Sequence, residues 1–246
     1  MHRQREDDPF PLADGVLALR DCRLQVGDAV WRYRDLNADA IEETWIEALK
    51  GNPHYFNGRI HLFDAAHLAG DTLEASLLGT DYKSYLHWRR QGFPDAGVLD
   101  GFGSALIYSS DGRIILGRQR TGNVNGGLVY LPAGFIDERD VDAEGRIDIE
   151  AAVLREVIEE TGIDRSVITR TEGLHLTRAG AQLSIAVPFR VAMTAAEIVA
   201  LVRDLAARSP ESELETIVPV AALRDLECLP LPHYTRPLLE AVLLGT

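Results

Sequence analysis

Apolar residues recur along this chain at two spacings, and the switches between them mark out strands and helices. Short runs with a period near two, Val16-Leu17-Ala18-Leu19 and Ala29-Val30-Trp31-Arg32-Tyr33, predict strands within residues 15–33. From residue 38 to residue 50 the period lengthens. Ile41, Trp45 and Ala48 then share one helical face, Asn37 stands in a capping position, and Gly51-Asn52-Pro53 stops the helix. Residues 58–63 and 73–78 predict two more strands, and residues 81–90 a second helix. Tyr55 and Phe56 are expected to be buried ahead of a turn at Asn57-Gly58. The first dozen residues are expected to fray.

Periodicity lapses at Gly92-Phe93-Pro94-Asp95-Ala96-Gly97, which is rich in turn formers. The chain is therefore expected to divide there, into an amino-terminal α+β lobe (residues 1–98) and a larger unit (residues 99–246). In the larger unit, residues 104–108 and 113–118 read as strands joined by a hairpin turn at Asp111-Gly112. A Gly/Asn-rich loop at 121–127 precedes a strand at 128–131. A helix at 148–161, strands at 173–177 and 182–191, and a helix at 195–207 follow. An acidic loop with Glu211, Glu213 and Glu215, a strand at 216–218 and a helix at 235–243 complete the pattern. Strands and helices interleaved in this order predict an α/β sandwich with a mixed sheet.

Composition narrows the function classes. A formal net charge of −13 argues against a general nucleic-acid binder, which needs a basic face. It leaves room for a small phosphorylated substrate, since a metal ion and a few arginines can supply local positive charge. The charged start, Met1 to Asp8, leads into no apolar run, so neither a secretory signal nor a membrane span is expected. Two cysteines far apart, Cys22 and Cys228, suit a reducing cytoplasm better than a disulfide scaffold, and are too few for a cysteine-based zinc site.

The helix at 148–161 carries the candidate chemistry. Asp148 suits its N-cap and Gly162 its C-terminal stop, and Ala151, Leu154, Val157 and Ile158 form an apolar stripe. Glu156, Glu159 and Glu160 are spaced i, i+3, i+4 and so fall within an arc of about 100°. Like charges at these spacings repel, and they stand near the end of the helix where the dipole favours cations. A divalent cation such as Mg²⁺ or Mn²⁺ would reverse both effects. Arg155, four residues before Glu159, could hold one carboxylate in place. The competing reading is a solvated acidic face with a surface ion pair.

The series Arg155-Glu156-Val157-Ile158-Glu159-Glu160-Thr161-Gly162-Ile163 resembles the signature of the Nudix hydrolase superfamily, without a mismatch in this half of the motif. Leu131-Pro132-Ala133-Gly134 resembles the entrance to that motif, with Gly134 as its opening glycine. The resemblance covers about residues 99–244. It implies a Nudix-type α/β/α sandwich preceded by a small β-rich lobe. Two features depart from the pattern. Gly134 to Arg155 spans 21 residue steps, seven more than usual, so residues 137–145 read as an acidic surface loop inserted in the motif. The motif's earlier glutamate, eight positions before the arginine, is Ile147 here, with Glu138, Asp140, Glu144 or Asp148 as candidate substitutes.

What the resemblance implies is metal-dependent hydrolysis of a nucleoside diphosphate linked to another moiety. Glu156, Glu159 and Glu160 become the expected ligands of Mg²⁺ or Mn²⁺. Arg155 is expected to orient them, and Gly134 to let backbone approach the metal or phosphate. Glu211, Glu213 and Glu215 stand where some relatives place a general base, and Glu213 is the candidate taken forward. Arg118 and Arg120 either bind the diphosphate or lie on the surface. Tyr82 and Tyr85 either stack on a base or belong to the core. Residues 52–58 and 79–86 look like segments of Nudix proteins that hydrolyse UDP-glucose and UDP-galactose, which would give UMP and a sugar 1-phosphate. ADP-ribose, a dinucleotide such as NADH, and coenzyme A are the other substrates weighed, besides a nucleotide-binding protein without turnover. Nucleic acid and membrane are not expected partners. The family's habit of dimerising makes a homodimer the expectation by analogy.

Overall fold

The computed structural model describes residues 8–209 and 212–245. Residues 1–7 of the expected frayed start, and Glu211 of the expected acidic loop, lie outside the described residues. The amino-terminal elements are β1 (Gly15–Leu19), β2 (Asp21–Val26), α1 (Arg32–Leu36), α2 (Ala38–Gly51), β3 (Arg59–Ala69), β4 (Thr72–Asp81) and α3 (Tyr82–Arg90). There follow β5 (Asp100–Tyr108), β6 (Ile114–Gln119), β7 (Val129–Tyr130), β8 (Ala133–Phe135), β9 (Arg146–Ile147) and α4 (Ile149–Thr161). The chain continues with β10 (Ile168–Arg170), β11 (Leu174–Ala179), β12 (Gln182–Val191), α5 (Ala195–Arg208), β13 (Leu214–Val220) and α6 (Thr235–Leu244).

β5 and β12 are buried along almost their whole length and pair in parallel, from Gln182 opposite Asp100 to Arg190 opposite Tyr108. Strands that are apolar on both faces need a layer on each side. α4 and α5 supply one layer, through Ile149, Val153, Val157, Ala195, Ile198 and Val202. α6 supplies the other, its Leu238 and Leu239 packing with Leu106, Leu116 and Ala186. The result is the expected α/β/α sandwich around a mixed sheet. Among the described residues that sheet runs β1-β11-β12-β5-β6-β13, with β10 also on β12, β7 on β6 and β8 on β5.

A second sheet runs β3-β4-β2-β9. α3 packs against it through Tyr85 and Trp88, with Trp31, Ile60, Leu62 and Leu78 completing an aromatic-rich core. Each sheet borrows a strand across the sequence. β1 pairs with β11 of the large sheet, and β9 pairs with β2 of the small one. One core cluster joins Leu24, Phe63, Leu73 and Leu77 to Ile136, Ile147 and Val153. The 92–97 segment between the lobes is pinned by two indoles, as Trp31 Nε1 donates to Ala96 O at 3.2 Å and Trp88 Nε1 to Pro94 O at 2.8 Å.

Several expectations need correction. Residues 29–33 form no strand: Trp31 precedes α1, buried with its ring stacked on Tyr33. Five alternating residues do not separate a strand from the entry to a short helix, and tertiary stacking of the two rings decided it. Asn37 makes no side-chain cap to α2; its amide donates back to Tyr33 O at 2.7 Å and closes α1 instead. Phe56 is exposed and Tyr55 only half-buried, because Tyr55 packs its ring on Trp45 and Tyr82 while the next side chain points outward. The inserted segment is no plain loop. It holds a single turn at Glu138–Asp140, boxed by Asp137 and Asp140, and ends in β9. Glu215 lies on β13 rather than in a loop. Both cysteines are free thiols, and no helix among the described residues is long and apolar enough to cross a membrane.

Candidate active site

α4 begins where the Asp148 carboxylate accepts the N–H groups of Glu150 and Ala151, at 3.1 and 3.0 Å. It ends at Gly162, whose φ of +70° is the left-handed conformation that glycine adopts without a Cβ clash. Both ends match the sequence reading, but the buried face does not. It runs through Ile149, Ala152, Val153, Val157, Glu160 and Thr161, leaving Ala151 and Ile158 exposed. The helix docks over Gly103 of β5, where a Cβ would lie 2.4 Å from Val153, and this close approach sets its rotation. Glu160 is thereby turned inward with the apolar residues.

β8 lies beneath the next turn. A Cβ on Gly134 would fall 2.3 Å from Glu156 Cδ, so only glycine leaves room for that carboxylate. Burial pushes the Glu156 carboxyl up to about 7, with Arg155 opposing and Glu159 and Glu213 reinforcing the rise. Glu160 is raised well above the usual carboxylate range, by burial first and then by Glu213 and Glu156. Its Oε2 is buried without a hydrogen-bond partner. Glu159, in contrast, is half exposed.

Arg155 sits among these acids. Its guanidinium meets Glu156 Oε1 at 2.8 Å, Asp140 Oδ1 at 2.7 Å and Glu159 Oε2 at 3.6 Å. Arg139 adds a contact of 3.7 Å to Glu159. Asp140 is the acid that the sequence reading left among several candidates. It stands six positions after Gly134, where the Nudix pattern counted from the glycine places its first acid. Counted from the arginine the same acid falls on Ile147, which is buried in β9 opposite Leu24. The extra residues therefore follow Asp140, and the signal was available by counting from the other end of the motif.

The remaining expected site residues divide. Glu213 is exposed, accepts from Gln119 Nε2 at 3.5 Å, and lies close enough to raise both Glu156 and Glu160. Arg120 is tied to backbone, Nε to Ser212 O at 2.8 Å and Nη2 to Ala206 O at 3.0 Å; Arg118 donates to Gly127 O at 3.2 Å. These contacts fit shaping of the 121–127 loop and the end of α5 better than phosphate binding. Tyr82 lies within an aromatic cluster, edge-on to Trp45, Tyr55 and Phe135 and tilted against Tyr85. Tyr85 is buried in the same cluster. Asn125, Tyr130 and Arg89 are linked to one another: Asn125 donates to the Tyr130 hydroxyl at 3.1 Å and accepts from Arg89 Nη2 at 2.5 Å.

The donor set suits a divalent cation. Glu156, Glu159 and Glu160 offer hard oxygen ligands, and the unpartnered Glu160 Oε2 is an acceptor without a donor. Among the described residues no three acidic, histidine or cysteine side chains stand together as a ready chelate. The reason is visible in the ion pairs, because Arg155 and Arg139 hold Glu156 and Glu159 to themselves. Ligation would use the Glu156 oxygen that Arg155 leaves free and exchange the Glu159 contacts for the ion.

The family model described as NUDIX domain matches residues 100–240, more than half of the chain. An RNA pyrophosphohydrolase from Gluconacetobacter diazotrophicus is 39% identical over 69 residues, which is 26% of this chain and 37% of that protein. The chain thus spans little more than a third of this curated relative. Among solved structures, the MutT protein from Methanosarcina mazei Go1 is 24% identical, covering 58% of this chain and 91% of that one, with a TM-score of 0.39. RenU, a Nudix hydrolase from M. smegmatis, is 17% identical over 59% of this chain and 86% of its own, with a TM-score of 0.38. With the family model spanning every strand of the large sheet except β1, together with the acidic helix, the chain belongs to the Nudix family.

Proposed function

We propose that this protein is a Mg²⁺- or Mn²⁺-dependent pyrophosphohydrolase of a nucleoside diphosphate linked to another moiety, with a nucleotide sugar (a UDP-sugar or ADP-ribose) as its first candidate substrate. The observation that carries this reading is Glu160, a buried carboxylate with one oxygen unpartnered, one helical turn from the Glu156 carboxylate that packs over Gly134. A bound divalent ion supplies charge neutralisation at the diphosphate and an activated water. Glu156, Glu159 and Glu160 hold it. Arg155, anchored by Asp140, fixes the Glu156 carboxylate so that it faces Gly134. Glu213, just before β13, is the candidate general base.

Nucleotide sugars are favoured by the amino-terminal segments 52–58 and 79–86, which look like those of UDP-sugar hydrolases. The curated relative named an RNA pyrophosphohydrolase makes RNA ends a second substrate class. The net charge of −13 weighs against it, because a polynucleotide needs a basic surface. The test is a panel of UDP-glucose, UDP-galactose, ADP-ribose, NADH, coenzyme A and a 5′-triphosphorylated RNA, each with Mg²⁺ and Mn²⁺, read by product mass spectrometry. Turnover of UDP-sugars and not of ADP-ribose supports the UDP-sugar branch. Tight binding without any turnover would make the protein a nucleotide sensor instead. Glu160→Gln is expected to abolish turnover with the fold intact, and near-wild-type activity in that variant would sink the assignment.

A further inference from the structure

Four acids, Glu156, Glu159, Glu160 and Glu213, influence one another around the site, so a polyanionic substrate needs a protein cation to meet the part of it that the metal does not neutralise. Arg155 and Arg139 are paired with carboxylates, and Arg120 donates twice to backbone carbonyls, while Arg118 on β6 makes one such bond.

Arg89 on α3 offers a cation from the amino-terminal lobe. Like Arg118 it is only partly exposed and makes no ion pair among the described residues. Its recorded hydrogen bonds go to neutral acceptors: Nη2 donates to Asn125 Oδ1 at 2.5 Å, and Nη1 to the Tyr85 hydroxyl at 3.4 Å. A guanidinium has five N–H donors in a planar fork, so most of its capacity is not used by these two contacts. Charged side chains are rarely drawn inward without an opposite partner. Tyr85 links this guanidinium to Asp100, its hydroxyl accepting from Arg89 and donating to Asp100 Oδ2 at 3.1 Å.

The position of Arg89 relates it to the site. Asn125 bridges it to the Tyr130 hydroxyl, donating at 3.1 Å. Tyr130 stands four residues before Gly134, so these contacts lead from Arg89 to the glycine strand, approached from the amino-terminal side. α3 also packs directly onto the glycine strand, with Tyr85 edge-on to Phe135 at 4.8 Å between ring centroids.

We propose that Arg89 is a substrate-binding residue, its guanidinium anchoring a phosphate group of the nucleoside diphosphate derivative on the side of the site away from α4. The inference rests on the pyrophosphohydrolase reading above. It gives the amino-terminal lobe a direct part in the site, with Asn125 and Tyr85 holding the fork in place as positioning residues.

The test uses the full-length chain and the variants Arg89→Met and Arg89→Lys. ADP and UDP binding are measured by calorimetry without added metal, adenosine and uridine binding serve as controls, and Mn²⁺ binding is followed by electron paramagnetic resonance. Arg89→Met is expected to weaken diphosphate binding roughly ten-fold or more, leaving nucleoside and Mn²⁺ binding unchanged. Arg89→Lys keeps the charge without the fork and is expected to restore part of the loss. On whichever substrate the panel identifies, KM should rise and kcat stay within about three-fold. Unchanged ADP and UDP binding in Arg89→Met overturns the proposal. So does failure of both variants to fold, which would assign Arg89 to compensating Asp100 through Tyr85. If the wild-type protein binds neither ADP nor UDP, with or without Mn²⁺, the pyrophosphohydrolase reading itself falls.

Discussion

Gly134 and Glu160 show how single positions trade packing against chemistry. The Glu156 carboxylate occupies the space that any side chain at 134 would need. Gly134→Ala is therefore expected to push Glu156 out of line and lower turnover roughly a hundred-fold, since displacements near 1 Å in a reacting constellation cost about that much. A drop in Mn²⁺ affinity with an unchanged circular dichroism spectrum would accompany it; full activity would remove Gly134 from the site. Glu160 sits on the core face of α4 with like charges nearby and one oxygen unsatisfied. Replacing it by the neutral, equally sized glutamine relieves that repulsion. The expected result is a melting temperature a few degrees higher, about 2–4 °C per kcal/mol gained for a chain of this size, in a protein that no longer turns over. A lower melting temperature would mean that the carboxylate is a net structural support.

At the scale of elements, α4 was the most legible part of the chain. Asp148 and Gly162 signalled its ends because capping and left-handed termination are local, and both were found in place. Asp148→Ala removes two accepted N–H bonds and is expected to cost about 1 kcal/mol, seen as a fall of about 2–4 °C in melting temperature with activity per folded molecule preserved. A change in activity without a change in melting temperature would place Asp148 in the site instead. The helix rotation was not legible. It depends on Gly103 beneath Val153, a contact across 50 residue positions that no local periodicity reports. The competing reading of a solvated acidic face does not fit Glu160, which turns inward with the apolar residues. The inserted segment was misjudged for a related reason. Its residues are polar, but β9 forms through backbone pairing with β2, which needs little apolar side chain. Arg89 was invisible because Asn125, which accepts from it, lies 36 positions further along the chain.

Across the whole molecule, the turn-rich stretch at 92–97 separates sequence patterns more sharply than it separates packing. The large sheet takes its edge strand β1 from before that stretch, and the small sheet takes β9 from after it. Leu24, Phe63, Leu73 and Leu77 share a core with Ile136, Ile147 and Val153. A fragment of residues 99–246 would expose β11 as an edge and uncover that apolar surface. It is expected to lack the dispersed amide spectrum of a folded domain, while the full chain unfolds in one transition seen alike by fluorescence and circular dichroism. A soluble fragment with a dispersed spectrum would establish that residues 99–246 fold alone. The fold class was readable throughout, because alternating strand and helix periods survive in the sequence; the exchange of strands between sheets was not, since pairing partners far apart leave no local mark.

The pairing of β9 with β2 also sets how the chain meets a protease. Arg139 and Arg146 flank a polar stretch that an endoprotease would ordinarily cut first. Here the Arg146 amide donates to Asp142 Oδ1 at 2.8 Å, and the strand it belongs to is hydrogen-bonded into a sheet. Cleavage needs several residues around the bond to come loose together, so these two sites should open only when the small sheet does. Trypsin cuts after Arg139 and Arg146 are accordingly expected to rise with urea in step with the loss of circular dichroism; early cuts at either arginine in native buffer would show the segment to be untethered. If the tether holds, the half-life of this polar stretch is that of the sheet it joins.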